Sequence, residues 1–431
     1  MKIKMILLIM LALLLSVSTA YANNVAVSNV VLHNKNLVQG TIDIRFNLSQ
    51  DNTFSGTDAN NQEFYDSIWL FVKYWVEDVN SEATGWYHAT LTTGGTITPT
   101  SDNKGAFAQT GDNQTLRWHY SADGIGNDAM IKVRVCAIEM VYIPEGAFVY
   151  NAGAIGGSLF NNYGAGAQAI VSSADHIPAG AAAGWPNGYN GFYIAKYEVS
   201  QGQYADFLNM LSETAANTRF PNTTANRQTI THTAENPYGS RYTAGSPNRA
   251  MNQTSWDDLR AYSSWAALRP LTEMEFEKAA RGGGAGNNIT YPWGSNNPTT
   301  ITYVFDEATI SRHYACFNNT SNGPVNVGHY LSGDITRSNE QTGASFYGVT
   351  DLAGNNWEHI INCAHPQVPS NGDGTISWPA SWPDAPSGKG IRGGSWYNDS
   401  SYLRVSVRSL AGYTTAYRSN ISGIRPCRTS P

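Results

Sequence analysis

The chain has 431 residues, a formal net charge of −6 and only 14% charged residues, set against 41 Gly, 24 Tyr and 12 Trp. That length admits two or three domains, and the composition favours many turns around buried aromatics over long charged helices. With an acidic balance and no Lys/Arg cluster to track phosphates, the sequence excludes nucleic acid as a partner.

Lys2 and Lys4 precede an apolar run from Met5 to Val17, and small residues then lead to Ala20-Tyr21-Ala22. A short basic region, an apolar core and an A-x-A site read as a cleaved secretory signal. The run falls short of the roughly 20 residues that span a bilayer. Residues 1–22 are therefore expected to be a signal peptide, with the mature chain starting near Asn23. No transmembrane segment is expected after cleavage, and the location is secreted, periplasmic or cell surface. An exported chain with Cys136, Cys316, Cys363 and Cys427 can form up to two disulfides. Cys363 and Cys427 both lie in the C-terminal part and are expected to pair.

Residues 23–137 read as a β-sandwich of immunoglobulin or fibronectin type. Thr41–Phe46, Thr115–Tyr120 and Met130–Val135 alternate polar and apolar residues, as strands with one buried face do. Ser67–Val76 is a longer aromatic and β-branched run, and Thr93-Gly94-Gly95 and Asp123-Gly124-Ile125-Gly126 supply turns. Nothing in this stretch carries chemistry. A second unit, 138–431, begins at Met140-Val141-Tyr142-Ile143-Pro144. Ala152–Gly191, rich in Ala and Gly, is expected to be a long loop or an insertion. Three helices follow. Ser200–Leu211 places Tyr204, Phe207, Leu208 and Leu211 on one face behind a Ser200 N-cap. Trp256–Leu268 starts from Ser255. Thr272–Arg281 opens on the capping-box pair Thr272 and Glu275 and stops at Gly282.

These segments resemble, in order and wording, the sulfatase-modifying-factor family, whose founding member is the formylglycine-generating enzyme. Phe192-Tyr193-Ile194-Ala195-Lys196-Tyr197-Glu198-Val199-Ser200 and Asn252-Gln253-Thr254-Ser255-Trp256 come first. Arg269-Pro270-Leu271-Thr272-Glu273 through Ala280-Arg281-Gly282 and Tyr291-Pro292-Trp293-Gly294 follow. Asp351-Leu352-Ala353-Gly354-Asn355-Asn356-Trp357-Glu358, Arg392-Gly393-Gly394-Ser395-Trp396 and Gly423-Ile424-Arg425 complete the series. One such motif is weak; the ordered series is specific. The resemblance implies an α+β fold overall: the N-terminal sandwich followed by an irregular domain related to C-type lectins.

The resemblance also implies a chemistry, which this chain departs from. The family's enzyme oxidises a substrate cysteine through two cysteines that hold Cu(I), a soft ion that prefers thiolates. Those two positions fall on Asn398 and Leu403, and an amide and an alkyl chain are not Cu(I) ligands, so no copper is expected. Ser395 remains, but a lone Ser without a base is structural more often than nucleophilic. No catalytic residue is assigned. His359 and His365, the closest histidine pair, match no metal motif. The family's calcium motif does carry over: it implies carboxylate oxygens from Asp351 and Glu358 and carbonyls from Gly354 and Asn356, suited to a structural Ca2+.

The last 35 residues, Tyr397–Pro431, contain no Lys, Glu, Gln, Met or Trp. This bias resembles the variable region of diversity-generating-retroelement proteins, in which Asn codons are randomised on the same fold. Tyr397, Asn398, Asp399, Ser400, Ser401, Tyr413 and Tyr417 are then the ligand-binding candidates, over a fixed layer that includes Arg392, Trp396, Leu403 and Arg408. Tyr, Ser and Asn are the residues that adaptable binding loops favour. The sequence thus points to an exported protein that binds an unidentified protein or cell-surface ligand. The alternative is an oxidoreductase of the same family, acting on a protein or small thiol without the cysteine pair.

Overall fold

The computed structural model describes residues 25–77, 79–151, 168–178, 181, 184–284, 290–294, 315–318, 323–329, 342–384, 387–413 and 415–431. The expected signal peptide lies outside these residues. Among the described residues, no helix is long and apolar enough to cross a membrane.

The chain is α+β. Strands Ala26–Asn36, Thr41–Ser49, Gly111–Trp118 and Leu91–Thr92 form a four-stranded antiparallel sheet. It packs on a second sheet of 11 strands, whose main path runs through Lys389–Arg392, Trp357–Ile361, Arg269–Thr272, Pro426–Thr429, Phe192–Ala195, Ile131–Ile143, Glu63–Val76 and Ser55–Thr57. Glu63–Val76 shows why its sequence does not alternate cleanly. Ile68, Leu70 and Val72 face the sandwich core with Ile44, Phe46 and Trp118. Trp69 and Phe71 point the other way, into a core with Phe207, Tyr262 and Trp265. A strand buried on both faces reads as a continuous apolar run.

The division expected at residue 137/138 falls inside strand Ile131–Ile143, which pairs with strand Glu63–Val76 from Tyr65↔Tyr142 to Val76↔Ile131. The sandwich and the C-terminal part therefore share one sheet, with no linker between them. Within Ala152–Gly191, residues Gln168–Val171 form a strand against Phe148–Asn151, a correction to the long loop expected there; 152–167 lie outside the described residues.

The three expected helices occur as Gln201–Met210, Trp256–Trp265 and Glu273–Arg281. Each has a reciprocal capping box, Ser200 with Gln203, Ser255 with Asp258 and Thr272 with Glu275, so two orphan donors are satisfied at each start. A short fourth helix, Glu213–Arg219, has too little apolar periodicity to be seen in the sequence. None of the four cysteines is in a disulfide. The expected Cys363–Cys427 bond is absent because the two pack in different clusters, Cys363 with Phe148, Tyr150 and Met274 and Cys427 with Phe192, Ile194 and Leu271; the Arg269 guanidinium donates to Cys427 Sγ at 2.8 Å and Arg408 to Cys363 Sγ at 3.4 Å.

Several buried cations join the two parts, among them Lys196 on Asp66, Arg428 on Asp102, and Lys73. Lys73 Nζ donates to the carbonyls of Trp265 (2.7 Å) and Gly374 (2.6 Å) and lies 4.8 Å from the Trp265 ring centroid. Burial pushes its pKa down to about 7. Lys73→Met keeps the volume but strands two buried carbonyls. It is expected to lower the unfolding free energy by about 1–3 kcal/mol in urea titrations, whereas Lys132→Met on the surface should change it by less than about 0.5 kcal/mol.

Candidate functional site

The candidate site begins where strand Lys389–Arg392 ends. Gly393 and Gly394 turn the chain with φ of +99° and +77°. A Cβ at Gly394 would sit 2.9 Å from Leu403 Cδ1 and 3.1 Å from the Tyr402 carbonyl, so this turn needs glycine for both conformation and space. The chain then passes Ser395 and Trp396, both buried, and enters the 3-10 turn Ser400–Leu403, capped by the Asp399 carboxylate, which accepts from Ser401 N at 2.8 Å.

Below this turn lies a frame of buried charge. Glu273 Oε1 accepts from Arg392 at 2.6 Å and Oε2 from Arg408 at 2.6 Å; Arg408 Nε also donates to Glu273. Glu277 accepts from Arg392 at 2.6 Å and from Arg281 at 2.8 Å. Burial alone would raise the Glu273 pKa, but Arg408 and then Arg392 outweigh it and hold the carboxyl below its ordinary value. The frame ties helix Glu273–Arg281 to the R-G-G-S strand and to residue 408.

The sequence-derived candidates divide between this frame and the surface. Tyr397 is 68% exposed and Tyr417 83%. Asp399 is exposed; Ser400, Ser401 and Tyr413 are half-buried. Asn398 is placed differently from its neighbours. Its Oδ1 accepts from the Trp357 indole at 2.8 Å and from the Ser395 hydroxyl at 2.7 Å, and its carbonyl accepts from Asn318 N at 2.8 Å. It belongs to the frame. Ser395 spends its hydroxyl on that amide, with no base in reach of it among the described residues. Leu403 packs with Tyr291, Trp293 and Ala353. Trp396, Leu403, Arg392 and Arg408 are all 1–2% exposed. Trp396 Nε1 donates to the Asn420 carbonyl at 3.2 Å, which brings the Tyr397 turn beside the chain leaving Tyr417. Tyr413 belongs to a segment that runs back along the strand, through Ile391 N to Leu410 O (3.0 Å) and Lys389 Nζ to Thr415 O (2.8 Å). Ala411 and Gly412, which precede Tyr413, are buried.

The metal candidates lie in the loop 351–358, where Asp351, Gly354 and Asn355 all have positive φ. Asp351 Oδ2 accepts from Gly328 N at 2.6 Å, and Glu358 Oε1 from Arg425 Nε at 2.6 Å. A third carboxylate, Glu198, closes the group. It accepts from Asn356 N at 3.0 Å and Asn355 Nδ2 at 2.5 Å. Sequence reading passed over Glu198 and Arg425; a charged residue between the apolar Tyr197 and Val199 was the available signal. Burial raises all three carboxyl pKa values, that of Glu358 to about 7. Glu198 is raised further by Asp351 and Glu358. Glu358 Oε2 and Asn356 Oδ1 are buried without a partner. Among the described residues, no group of three or more His, Cys, Asp or Glu is arranged to hold a metal, so a cation here would depend on carbonyls as well as carboxylates. His359 is buried, its pKa pushed down to about 3 by burial, and His365 bonds the Ser381 carbonyl at 2.8 Å.

A family model described as the sulfatase-modifying factor enzyme 1-like domain matches residues 130–429. The formylglycine-generating enzyme of Streptomyces coelicolor is 32% identical over 187 residues, which cover 40% of this chain and 51% of that protein. The inactive C-alpha-formylglycine-generating enzyme 2 of Bos taurus is 35% identical over 104 residues, 24% of this chain and 30% of that protein. The chain spans about half or less of the length of these curated relatives. Among solved structures it is similar to Treponema denticola variable protein 1, at 16% identity and a TM-score of 0.36, over 68% of this chain and 96% of that one.

Proposed function

Because the chain belongs to the family of the sulfatase-modifying factor enzyme 1-like domain, we propose that it is an exported binding protein, whose C-terminal surface recognises a protein or cell-surface ligand without copper-dependent cysteine oxidation. The observation that carries this reading is the layering of one short segment. Tyr397, Asp399 and Tyr417 are exposed and Ser401 and Tyr413 half-buried, while Arg392, Trp396, Leu403 and Arg408, between them in the sequence or beside them, are almost completely buried. Surface positions tolerate replacement within about 0.5 kcal/mol, while a packed Leu or Trp costs about 2–5 kcal/mol when cut to Ala. The segment can therefore change its outer side chains and keep its fold. This supports a diversified surface, with Asn398 moved from the variable set to the frame. The reading also accounts for Asn398 and Leu403 at the copper positions, since both side chains have structural partners.

A displayed library randomised at Tyr397, Asp399, Ser401, Tyr413 and Tyr417 tests the proposal. Folded members that bind unrelated protein targets are expected. A library whose members fold but never bind better than the parent would refute it, and so would general loss of folding.

We further assign a structural Ca2+ to Asp351, Glu358 and the carbonyls of Gly354 and Asn356. The unpartnered Glu358 Oε2 supports this, because a hard cation satisfies a buried oxygen that has no donor; the Asn356 side-chain Oδ1 is a further buried oxygen without a partner there. An ion bound only by the native state stabilises it by about 2.7 kcal/mol at 100 times its Kd. Chelation is expected to lower the melting temperature of the native chain and to have no effect on Asp351→Ala. Equal melting with calcium and with chelator would remove the ion from the account.

A further inference from the structure

We propose that the groove between the end of helix Glu213–Arg219 and strand Ile230–His232 is a binding site for a neutral saccharide. The groove has a volume of about 790 Å³, within the range of small-molecule sites. Its polar lining is Asn217, Asn222, Thr223, Thr224 and Thr231, and none of its lining residues is Lys, Arg, Asp or Glu.

The state of these groups narrows the ligand. Asn217 Oδ1 is taken by the Tyr242 hydroxyl at 3.0 Å, which leaves its NH2 to donate outward. Thr223 Oγ1 accepts from Ala225 N at 3.1 Å and keeps its O–H for another acceptor. Thr231 Oγ1 donates to the Thr243 carbonyl at 3.4 Å and keeps its lone pairs. Asn222 and Thr224 are exposed and are engaged in no side-chain hydrogen bond. The groove thus offers donors and acceptors close together. Phe220, half-buried, and His232, exposed, supply ring surface. Both rest on Tyr242, with ring centroids 5.3 and 4.8 Å away. That ring is buried, and Asn209 locks its backbone by accepting from Tyr242 N (2.9 Å) and donating to Tyr242 O (2.8 Å).

An ionic ligand would find no countercharge in this lining. A purely apolar ligand would leave several amides and hydroxyls without partners, which is unfavourable wherever contact with the ligand excludes water. A neutral ring with many hydroxyls and one C–H face matches both parts of the lining. The groove borders the chain that follows Tyr417, because Arg418 donates to Thr218 O at 2.7 Å, but none of its lining residues belongs to 397–417, so it does not rest on the binding role proposed for that surface.

The test uses the full mature chain on an array of neutral oligosaccharides built from glucose, galactose, mannose and N-acetylglucosamine, with sialylated and heparin-derived glycans as charged controls. Hits are then measured by titration calorimetry. At least one neutral saccharide should bind, and no charged control should bind more tightly. The double change Asn222→Ala and Thr224→Ala touches only exposed side chains, so melting should not move. Affinity should fall about tenfold, the effect of losing two ordinary hydrogen bonds. Tyr397→Ala should leave affinity unchanged. No neutral binder, a preference for charged glycans, or affinity that survives the double change would each overturn the site.

Discussion

Replacing Glu273 with glutamine is expected to cost the protein about 3–5 kcal/mol of stability, a large share of the roughly 5–15 kcal/mol that holds a typical native protein folded. Glu273 is buried and is the shared counterion of Arg392 and Arg408. The amide keeps the shape and removes the charge, so two guanidiniums lose their common partner in a region shut off from water. Glu277 still serves Arg392 and Arg281, but Arg408 retains only its contact with Cys363. The same group sets a pH dependence. Its folded pKa is depressed relative to the unfolded chain, so its contribution is fully present above the ordinary glutamate value of about 4.3. That contribution is lost as pH falls through the lower, folded value. Urea titrations of the wild type between pH 7 and pH 3 should therefore show a loss on acidification that Glu273→Gln lacks in part. A variant as stable as the wild type would mean that the charge frame does not hold the R-G-G-S turn in place.

The second large effect is expected at Arg425. Its guanidinium serves Glu358 at 2.6 Å and the carbonyls of Ala195 (2.8 Å), Lys196 (3.0 Å) and Thr350 (2.7 Å). It is the only cation that pairs with Glu358 among the described residues. Arg425→Met fills the space and leaves a buried carboxylate beside Asp351 and Glu198, and it removes a donor from the Ala195 and Thr350 carbonyls, while Lys196 O keeps Thr350 N at 3.1 Å. A loss of about 3–5 kcal/mol is expected, with Arg425→Lys intermediate because an ammonium cannot reproduce the planar fork. If the loop 351–358 binds calcium as proposed, added Ca2+ should restore part of the stability of Arg425→Met, read as a rise in melting temperature. Stability of Arg425→Met at the wild-type level would show that the three carboxylates do not need this cation.

Much of this was legible in the sequence, for local reasons. The three helices were legible from apolar spacing behind Ser200 and Ser255 and from the capping-box pair Thr272 and Glu275, and each expected cap formed. The sandwich strands followed from alternation. Strand Ile131–Ile143 was cut short in the reading because alternation ends near Cys136. There the strand passes from one buried face to two, with Ala137 on the sandwich side and Ile138 and Met140 on the helical side. The site was less legible because its partners are remote. Asn398 sits in a run of Tyr, Asp and Ser and reads as surface, yet the indole that fixes it belongs to Trp357, 41 residues earlier. Glu198 and Arg425 meet their partners only across the sheet. The cysteines failed as a pair for the same reason. Cys427 lies opposite Arg269 in the register, a neighbour that spacing cannot reveal.

The proposed function has the C-terminal surface binding a ligand without copper-dependent cysteine oxidation. It is tested most directly by titrating the purified chain with Cu(I) against a chelating indicator, then incubating it with oxygen and a sulfatase-type cysteine peptide. The account predicts no stoichiometric Cu(I) binding and no conversion of the peptide cysteine to the aldehyde, because an amide held by Trp357 and Ser395 and a leucine packed on Tyr291 and Trp293 stand at the two ligand positions. One Cu(I) bound per chain, with turnover of the peptide, would contradict it.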